Sequence, residues 1–130
     1  MTRHTVLLVE DEFLIADILE ESLESAGFDV SLAHNGSEAL ARVEAEASRY
    51  DALVTDIGLG QSPNGWEVAQ RTRERFPAIA VLYVTACHSR EWVSAGVPDS
   101  LVIGKPFTPA YVVKMLSSLL EPGAAAHHLN

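Results

Sequence analysis

Short runs of hydrophobic residues alternate with longer stretches that mix apolar and polar positions. Five such runs predict β-strands, at residues 5–9, 29–33, 50–55, 80–85 and 101–103. Each run is too short for a helix, and most are rich in β-branched residues. Because the first run is continuously apolar, it predicts a strand that is covered on both faces of a sheet.

The mixed stretches between these runs predict five helices. In the first, which Gly27 ends, Ile15, Ile18 and Leu23 share one face, and acidic side chains occupy the opposite face. Ser37 is the predicted N-cap of the second helix. The remaining helices are predicted at residues 66–76, 89–95 and 109–120.

Strands that alternate with helices in this way predict an α/β fold. Parallel neighbours need crossover connections, and these connections are right-handed, so helices cover both faces of a doubly wound sheet. The 130 residues suffice for one hydrophobic core. Residues 1–121 are therefore predicted to form one domain, and residues 122–130, which have little to bury, a mobile tail.

The net negative charge of the chain disfavours two classes of partner. The chain carries 18 acidic and 9 basic residues, a formal net charge of -9, with no run of Lys or Arg. Such a surface repels nucleic acids and anionic membranes, so we expect neither as a direct partner. The apolar run at residues 6–9 is too short for a signal peptide, and the lone Cys87 cannot form an internal disulfide. We therefore expect a cytoplasmic protein.

Polar residues follow four of the five predicted strands. Glu10 and Asp11 come after the first strand, Asp56 after the third, Thr85 at the end of the fourth, and Lys105 after the fifth. The carboxyl ends of parallel strands lie at one edge of a sheet, which is where ligands bind in open α/β folds. We therefore expect these five side chains to meet.

Their chemistry predicts a phosphoryl acceptor. Three converging carboxylates repel one another unless a cation lies among them, and oxygen ligands favour Mg²⁺. Nearby cations also neutralise phosphoryl oxygens during transfer onto a carboxylate. Asp56 is the predicted acceptor, Lys105 supplies a fixed positive charge, and Thr85 donates a hydrogen bond.

Over about residues 5–120 the sequence resembles the receiver domain of two-component response regulators, in the manner of single-domain chemotaxis regulators. The resemblance rests on Val9-Glu10-Asp11-Glu12, Asp56, Thr85-Ala86 and Lys105-Pro106-Phe107 at successive predicted strand ends. None of these motifs is specific alone, but their combination in this order is. The resemblance implies a flavodoxin-like sheet with strand order 2-1-3-4-5 and five helices.

The resemblance also implies a metal site. Asp56 is similar to the phosphorylated aspartate of the family, which also contacts the metal. Asp11 is similar to the direct Mg²⁺ ligand and Glu10 to the acid that acts through metal-bound water. Gly58 is similar to the residue whose backbone carbonyl completes the ligand set.

Two further roles are implied on the other side of the site. Thr85 resembles the hydroxyl that moves onto the phosphoryl group, and Lys105 resembles the lysine that pairs with it. In the family, the peptide bond between that lysine and its proline, here Pro106, is cis.

The chain departs from the family pattern in two places. Gly60 stands where a proline usually lies, four residues after the aspartate, and Gly65 lies nine residues after it instead of eight. The position three residues before the lysine is commonly aromatic, but here it is Val102. Switching by an inward-turning ring at that position is therefore not expected. The signal is expected to leave through the loops after the third and fourth strands or by repacking around Val102.

The implied function is that of a phosphoacceptor signalling domain. With Mg²⁺, Asp56 would take a phosphoryl group from a histidine kinase or a histidine phosphotransfer protein, and the domain would catalyse only its own phosphorylation and dephosphorylation. No output domain follows residue 121, so we expect a stand-alone receiver that controls an unknown protein partner. By the family pattern, that partner or a second copy would contact the face of the fourth helix, fifth strand and fifth helix.

Three other functions remain open. An aspartate-based phosphohydrolase needs a second acid where Gly58 stands. A flavodoxin-like cofactor module needs hydroxyls and amides where Glu10 and Asp11 stand, because acids repel a phosphate. A degenerate receiver would act only as a docking module, although every charged residue of the site is present.

Overall fold

Five parallel strands form the sheet of this protein. A computed structural model describes residues 3–45, 47–60, 62–86 and 95–121. The strands are β1 (Thr5–Val9), β2 (Asp29–Ala33), β3 (Ala52–Asp56), β4 (Ala80–Thr85) and β5 (Ser100–Gly104), in the order β2-β1-β3-β4-β5. The predicted doubly wound fold and its strand order are thereby confirmed.

Four helices lie within the described ranges. They are α1 (Phe13–Ser25), α2 (Gly36–Glu44), α3 (Gly65–Arg75) and α4 (Pro109–Leu120). The helix predicted at residues 89–95 lies, apart from Ala95, outside the described residues, as does the predicted tail at residues 122–130. No helix in the described part of the chain has the length and apolar character of a membrane span.

The starts of α2 and α3 correct the predicted helix boundaries. The N-cap of α2 is Asn35 and not Ser37, because the Asn35 side chain accepts a hydrogen bond from the Glu38 backbone N–H at 2.7 Å. In α3, Asn64 and Glu67 form a reciprocal capping box, so the helix begins one residue earlier than predicted. Both asparagines satisfy backbone donors that the first turn of a helix leaves without partners.

Two strand predictions also change slightly. The third strand begins at Ala52, two residues later than predicted, and it extends to include Asp56. Ahead of it, the Asp51 carboxylate accepts a hydrogen bond from the Thr5 backbone N–H at 2.8 Å. The fifth strand is one residue longer at each end than the predicted 101–103.

Two apolar cores flank the sheet. Because side chains alternate along a strand, Leu7 and Val9 pack against α2 and α3, whereas Val6 and Leu8 pack against α1 and α4. We call these the α2–α3 side and the α1–α4 side. The continuous apolar runs in the sequence therefore reflect strands that are covered on both faces.

Helix α1 packs through a narrower stripe than predicted. Ala16, Leu19 and Leu23 are buried. Ile18, which was expected to face the core, is 50% exposed, and Leu14 is 79% exposed. The buried positions follow the i, i+3, i+7 spacing of one helix face, and Ile18 lies beside that face.

Candidate functional site

Three carboxylates meet at the carboxyl ends of β1 and β3. Glu10 directly follows β1, Asp11 comes next, and Asp56 is the last residue of β3. Each offers one oxygen atom, and these oxygens all lie within 4.8 Å of one another. Glu10 is 0% exposed and Asp56 is 5% exposed. The structure therefore brings together the three acids that the sequence singled out.

The ammonium of Lys105 joins this acidic cluster. Lys105 follows β5, and its Nζ lies 3.2 Å from Asp56 Oδ2 and 3.5 Å from Glu10 Oε1. Its backbone N–H donates to the Thr85 carbonyl oxygen at 2.6 Å, which ties the end of β5 to the end of β4. The peptide bond between Lys105 and Pro106 is cis.

The lysine only partly neutralises the acids. Burial raises the pKa of Glu10 to about 8, and repulsion from Asp56 adds to this, while the Glu12 backbone N–H and Lys105 act in the opposite direction. Burial would by itself lower the pKa of Lys105, but attraction to Asp56 and Glu10 outweighs it and the pKa is raised. A buried oxygen-rich cluster with unbalanced negative charge fits a hard divalent cation.

The cluster opens into a cleft of ≈ 370 Å³ at this edge of the sheet. Asp11, Asp56, Gly58, Thr85 and Lys105 are among the residues that line the cleft. Thr85, the last residue of β4, is 6% exposed. The Asp56 carboxylate can thus be reached from solvent, although most of its surface is covered.

The loop after β3 folds closely around Asp56. The Gly58 N–H donates to Asp56 Oδ1 at 3.0 Å. Gly60 has a φ of +75°, which proline cannot adopt because its ring fixes φ near −65°. This backbone conformation favours the glycine that stands at position 60 over proline. A Cβ at Gly65 would collide with the Asp56 carbonyl oxygen, so α3 can start this close to β3 only with glycine there.

The start of α3 also lines the cleft, although sequence reasoning did not place it there. Asn64 caps α3 and Trp66 is its second residue, and both border the cleft. The sequence did hold a signal, because the spacing Asn64-x-x-Glu67 is that of a capping box. A helix that starts just after β3 must begin near the edge where the acids lie.

Comparison with known proteins then identifies the family. Residues 6–117 match the family model described as the response regulator receiver domain. The chain belongs to the response regulator receiver domain family. Its resemblance to that family is thereby confirmed, and with it a place in two-component signalling.

Relatives of this receiver domain include both longer regulators and separately solved receivers. The transcriptional regulatory protein CusR of Escherichia coli strain K12 is 34% identical over 124 residues, which cover 92% of this chain and 52% of CusR. A response regulator receiver protein from Sinorhizobium medicae WSM419 is 37% identical with a TM-score of 0.87, over 91% of this chain and 94% of that chain. The chemotaxis response regulator CheY4 of Vibrio cholerae is 29% identical with a TM-score of 0.79, over 92% and 100%.

The receiver domain spans about half the length of the curated relatives that it matches. Response regulators of this family receive phosphoryl groups from histidine kinases, and their receiver domains are signalling domains rather than enzymes of the usual kind.

Proposed function

We propose that this receiver domain accepts a phosphoryl group on Asp56 from the phosphohistidine of a histidine kinase or a histidine phosphotransfer protein. The observation that carries the proposal is the setting of the Asp56 carboxylate. It is almost buried at a strand end, its Oδ2 lies 3.2 Å from Lys105 Nζ, and it borders an open cleft. A carboxylate held in place by an ammonium and reachable from one side is positioned for attack on a donor.

The proposal includes a Mg²⁺ site. Glu10, Asp11, Asp56 and the Gly58 carbonyl are the groups that would hold the ion, and the first three already form a compact oxygen cluster. When bound, the ion would neutralise these carboxylates and the oxygens of the incoming phosphoryl group. Burial, with repulsion from Asp56, raises the pKa of Glu10, so this carboxyl tends to keep its proton when no cation is bound. A divalent ion among the three acids would favour the ionised form of Glu10, which supports this assignment.

The transfer moves one phosphoryl group between two side chains. A carboxylate oxygen of Asp56 attacks phosphorus, the P–N bond to the donor imidazole breaks, and its electron pair stays on the ring nitrogen. Lys105 pairs with the phosphoryl oxygens, and the Thr85 hydroxyl donates to one of them. Later, water attacks phosphorus, the P–O bond to Asp56 breaks, and inorganic phosphate leaves the restored carboxylate.

The phosphorylated domain would act by changing its contacts with a protein partner. We propose that this partner, or a second copy of the chain, docks on the face that includes β5 and α4. The expected cytoplasmic location stays a prediction. The alternative of an aspartate-based phosphohydrolase is less favoured, because at the place of its second acid Gly58 offers only backbone atoms.

The test is to incubate the protein with Mg²⁺ and acetyl phosphate and to follow its intact mass, then map the modified peptide. We expect one added phosphoryl group on Asp56, none in Asp56→Asn, and none when EDTA removes the metal. The matched control is Asp51→Asn, which changes an exposed aspartate next to the opposite end of β3 and should behave as wild type. An unmodified wild type, or an Asp56→Asn variant modified equally fast, would contradict the proposal. Steady turnover of a phosphomonoester would instead favour the phosphohydrolase.

A further inference from the structure

We propose that Trp66 and Tyr83 couple the state of the cleft to residues 95–99, the segment that leads into β5. We call these residues the pre-β5 segment. The inference rests on the proposed function, in which occupation of the cleft changes when Asp56 is phosphorylated. Val102 has no aromatic ring that could turn inward. The aromatic pair would therefore transmit the change at the cleft instead.

At the cleft, Trp66 forms part of the wall. It is 7% exposed, and it lines the same cleft as Asp56 and Lys105. On its inner side the indole contacts the ring of Tyr83, with ring centroids 4.8 Å apart and an interplanar angle of 56°. The cleft wall is therefore continuous with the aromatic part of the core, so a change of shape or charge in the cleft acts directly on this pair.

Tyr83 extends this contact to the pre-β5 segment. It is fully buried on β4, and its phenol oxygen accepts a hydrogen bond from the Val97 backbone N–H at 3.1 Å. Thr85 lies two residues further along β4 and therefore on the same side of the sheet. Loss of the phenol oxygen would leave the Val97 N–H without its partner in a buried place, which is costly. A shift of the Tyr83 ring is therefore transmitted to the backbone at Val97.

Helix α3 holds the same segment at two more points. The Gln70 side chain donates to the Ala95 carbonyl oxygen at 3.4 Å, and Arg73 Nη1 donates to the Pro98 carbonyl oxygen at 2.6 Å. Helix α3 starts at the cleft with the turn that contains Trp66. Each of these attachments of the segment thus belongs to an element that begins or ends at the cleft.

The strand register places the large ring on β4 beside a small side chain on β5. Tyr83 and Val102 are direct partners in the pairing of β4 with β5. Val102 is partly buried against the same core that contains Tyr83 and Trp66. The small side chain on β5 therefore adjoins the large ring on β4, and the ring that reaches the pre-β5 segment comes from β4.

The test compares hydrogen exchange of the pre-β5 segment in the presence and absence of Mg²⁺ with beryllofluoride, a phosphoryl mimic. In wild type we expect occupation to change the exchange rate there by about fivefold or more, the usual lower range of coupling between two sites. In Tyr83→Phe we expect faster exchange at Val97 without ligand and a change on occupation of less than about twofold. Tyr50→Phe is the matched control, because it also removes a phenol that has a hydrogen bond, here to Ser31 Oγ at 3.3 Å.

A second readout tests the cleft end of the pair. The chain has two tryptophans, so Trp92→Phe leaves Trp66 as the only one, and its emission should change when Mg²⁺ and beryllofluoride bind. In Trp66→Phe, which keeps an aromatic ring at this position, the exchange response at Val97 should fall. Circular dichroism and urea midpoints establish that each variant is folded.

Fluorine NMR of bound beryllofluoride distinguishes a failure of this inference from a failure of the proposed function. If the mimic binds to wild type and the pre-β5 segment does not respond, or if Tyr83→Phe responds as fully as wild type, this inference is wrong and the proposed function stands. If wild type binds no beryllofluoride and acetyl phosphate does not modify Asp56, the proposed function fails and this inference fails with it.

Discussion

The two sides of the sheet are built from different kinds of residue. Among the described residues, the buried core on the α1–α4 side is aliphatic apart from Phe28. The core on the α2–α3 side contains Trp66 and Tyr83, and the Tyr83 phenol has a hydrogen bond to the backbone. Apolar packing is non-directional, whereas a buried hydrogen bond fixes the relative position of two groups. The described contacts on the α2–α3 side therefore include a directional link to the backbone at Val97, whereas the buried core of the α1–α4 side is held by apolar packing.

The candidate site contains residues from both sides of the sheet. Along β3, Asp56 continues the alternation of Ala52 and Val54, which face α1 and α4. Along β4, Thr85 continues the alternation of Val81 and Tyr83, which face α2 and α3. Asp56 thus lies on the α1–α4 side of the sheet, and Thr85 lies on the α2–α3 side, which contains the buried hydrogen bond. In the two proposals above, the α1–α4 side would hold the phosphoryl acceptor and the α2–α3 side would transmit its state.

The largest expected effect tests whether both sides stabilise the fold. Leu7 and Leu8 are neighbours on β1, almost fully buried, and face opposite sides of the sheet. Leu7→Ala and Leu8→Ala should each lower the free energy of unfolding by about 2–5 kcal/mol, because each leaves a cavity in a close-packed core. Urea unfolding measures both values. A loss below about 1 kcal/mol in only one variant would show that the two cores do not contribute comparably.

The next effect concerns Glu10, whose raised pKa has a defined consequence for stability. Between the ordinary value of 4.5 and about 8, folded Glu10 keeps its proton while unfolded Glu10 has lost it. The folded state then binds more protons, so the metal-free protein should become less stable as pH rises through this window, by on the order of a few kcal/mol.

Urea midpoints in EDTA at pH 5, 6, 7 and 8 measure this effect. The control is Glu10→Gln, which cannot titrate and should lack the decline, so the difference between the two proteins isolates the carboxyl group. Saturating Mg²⁺ should restore stability at the upper end of the window, since a bound cation favours the ionised form. If the stability of wild type rises from pH 5 to pH 8 in parallel with that of Glu10→Gln, Glu10 does not have the raised pKa.

Two helix caps on the α2–α3 side give the third prediction. Asn64→Ala and Asn35→Ala each remove a side-chain cap, and each should lower stability by about 1 kcal/mol. Of these two asparagines, only Asn64 borders the cleft. Asn64→Ala, but not Asn35→Ala, should therefore also alter the change in Trp66 emission that follows the addition of Mg²⁺ and beryllofluoride. Equal responses from the two variants would show that the start of α3 is not coupled to the cleft.

Much of this arrangement was predictable because it is encoded locally. The residues after the strands predicted that Glu10, Asp56 and Lys105 meet, since parallel strands place their carboxyl ends at one edge. The start of α2 was misplaced because Ser37 and Asn35 are both good caps, and the choice depends on which residue adopts the extended backbone that Asn35 has.

The aromatic pair was not predictable in the same way. In the sequence, Tyr83 is an ordinary member of an apolar strand, and Trp66 is the start of an amphipathic helix. Their contact depends on how closely α3 approaches β4, and the bond to Val97 depends on the path of the chain before β5. Both are tertiary relationships between residues distant in sequence, which periodicity does not report.

The smallest expected effect tests the outer surface of the α1–α4 side. Leu14 on α1 is 79% exposed. Leu14→Gln should therefore change the free energy of unfolding by no more than about 0.5 kcal/mol, because the side chain buries little apolar area on folding. The matched change Leu19→Gln, five residues along the same helix at a position that is 1% exposed, should destabilise strongly. If Leu14→Gln also destabilised by more than about 1 kcal/mol, and did so more at high protein concentration, that face of α1 would be covered by a second copy in solution.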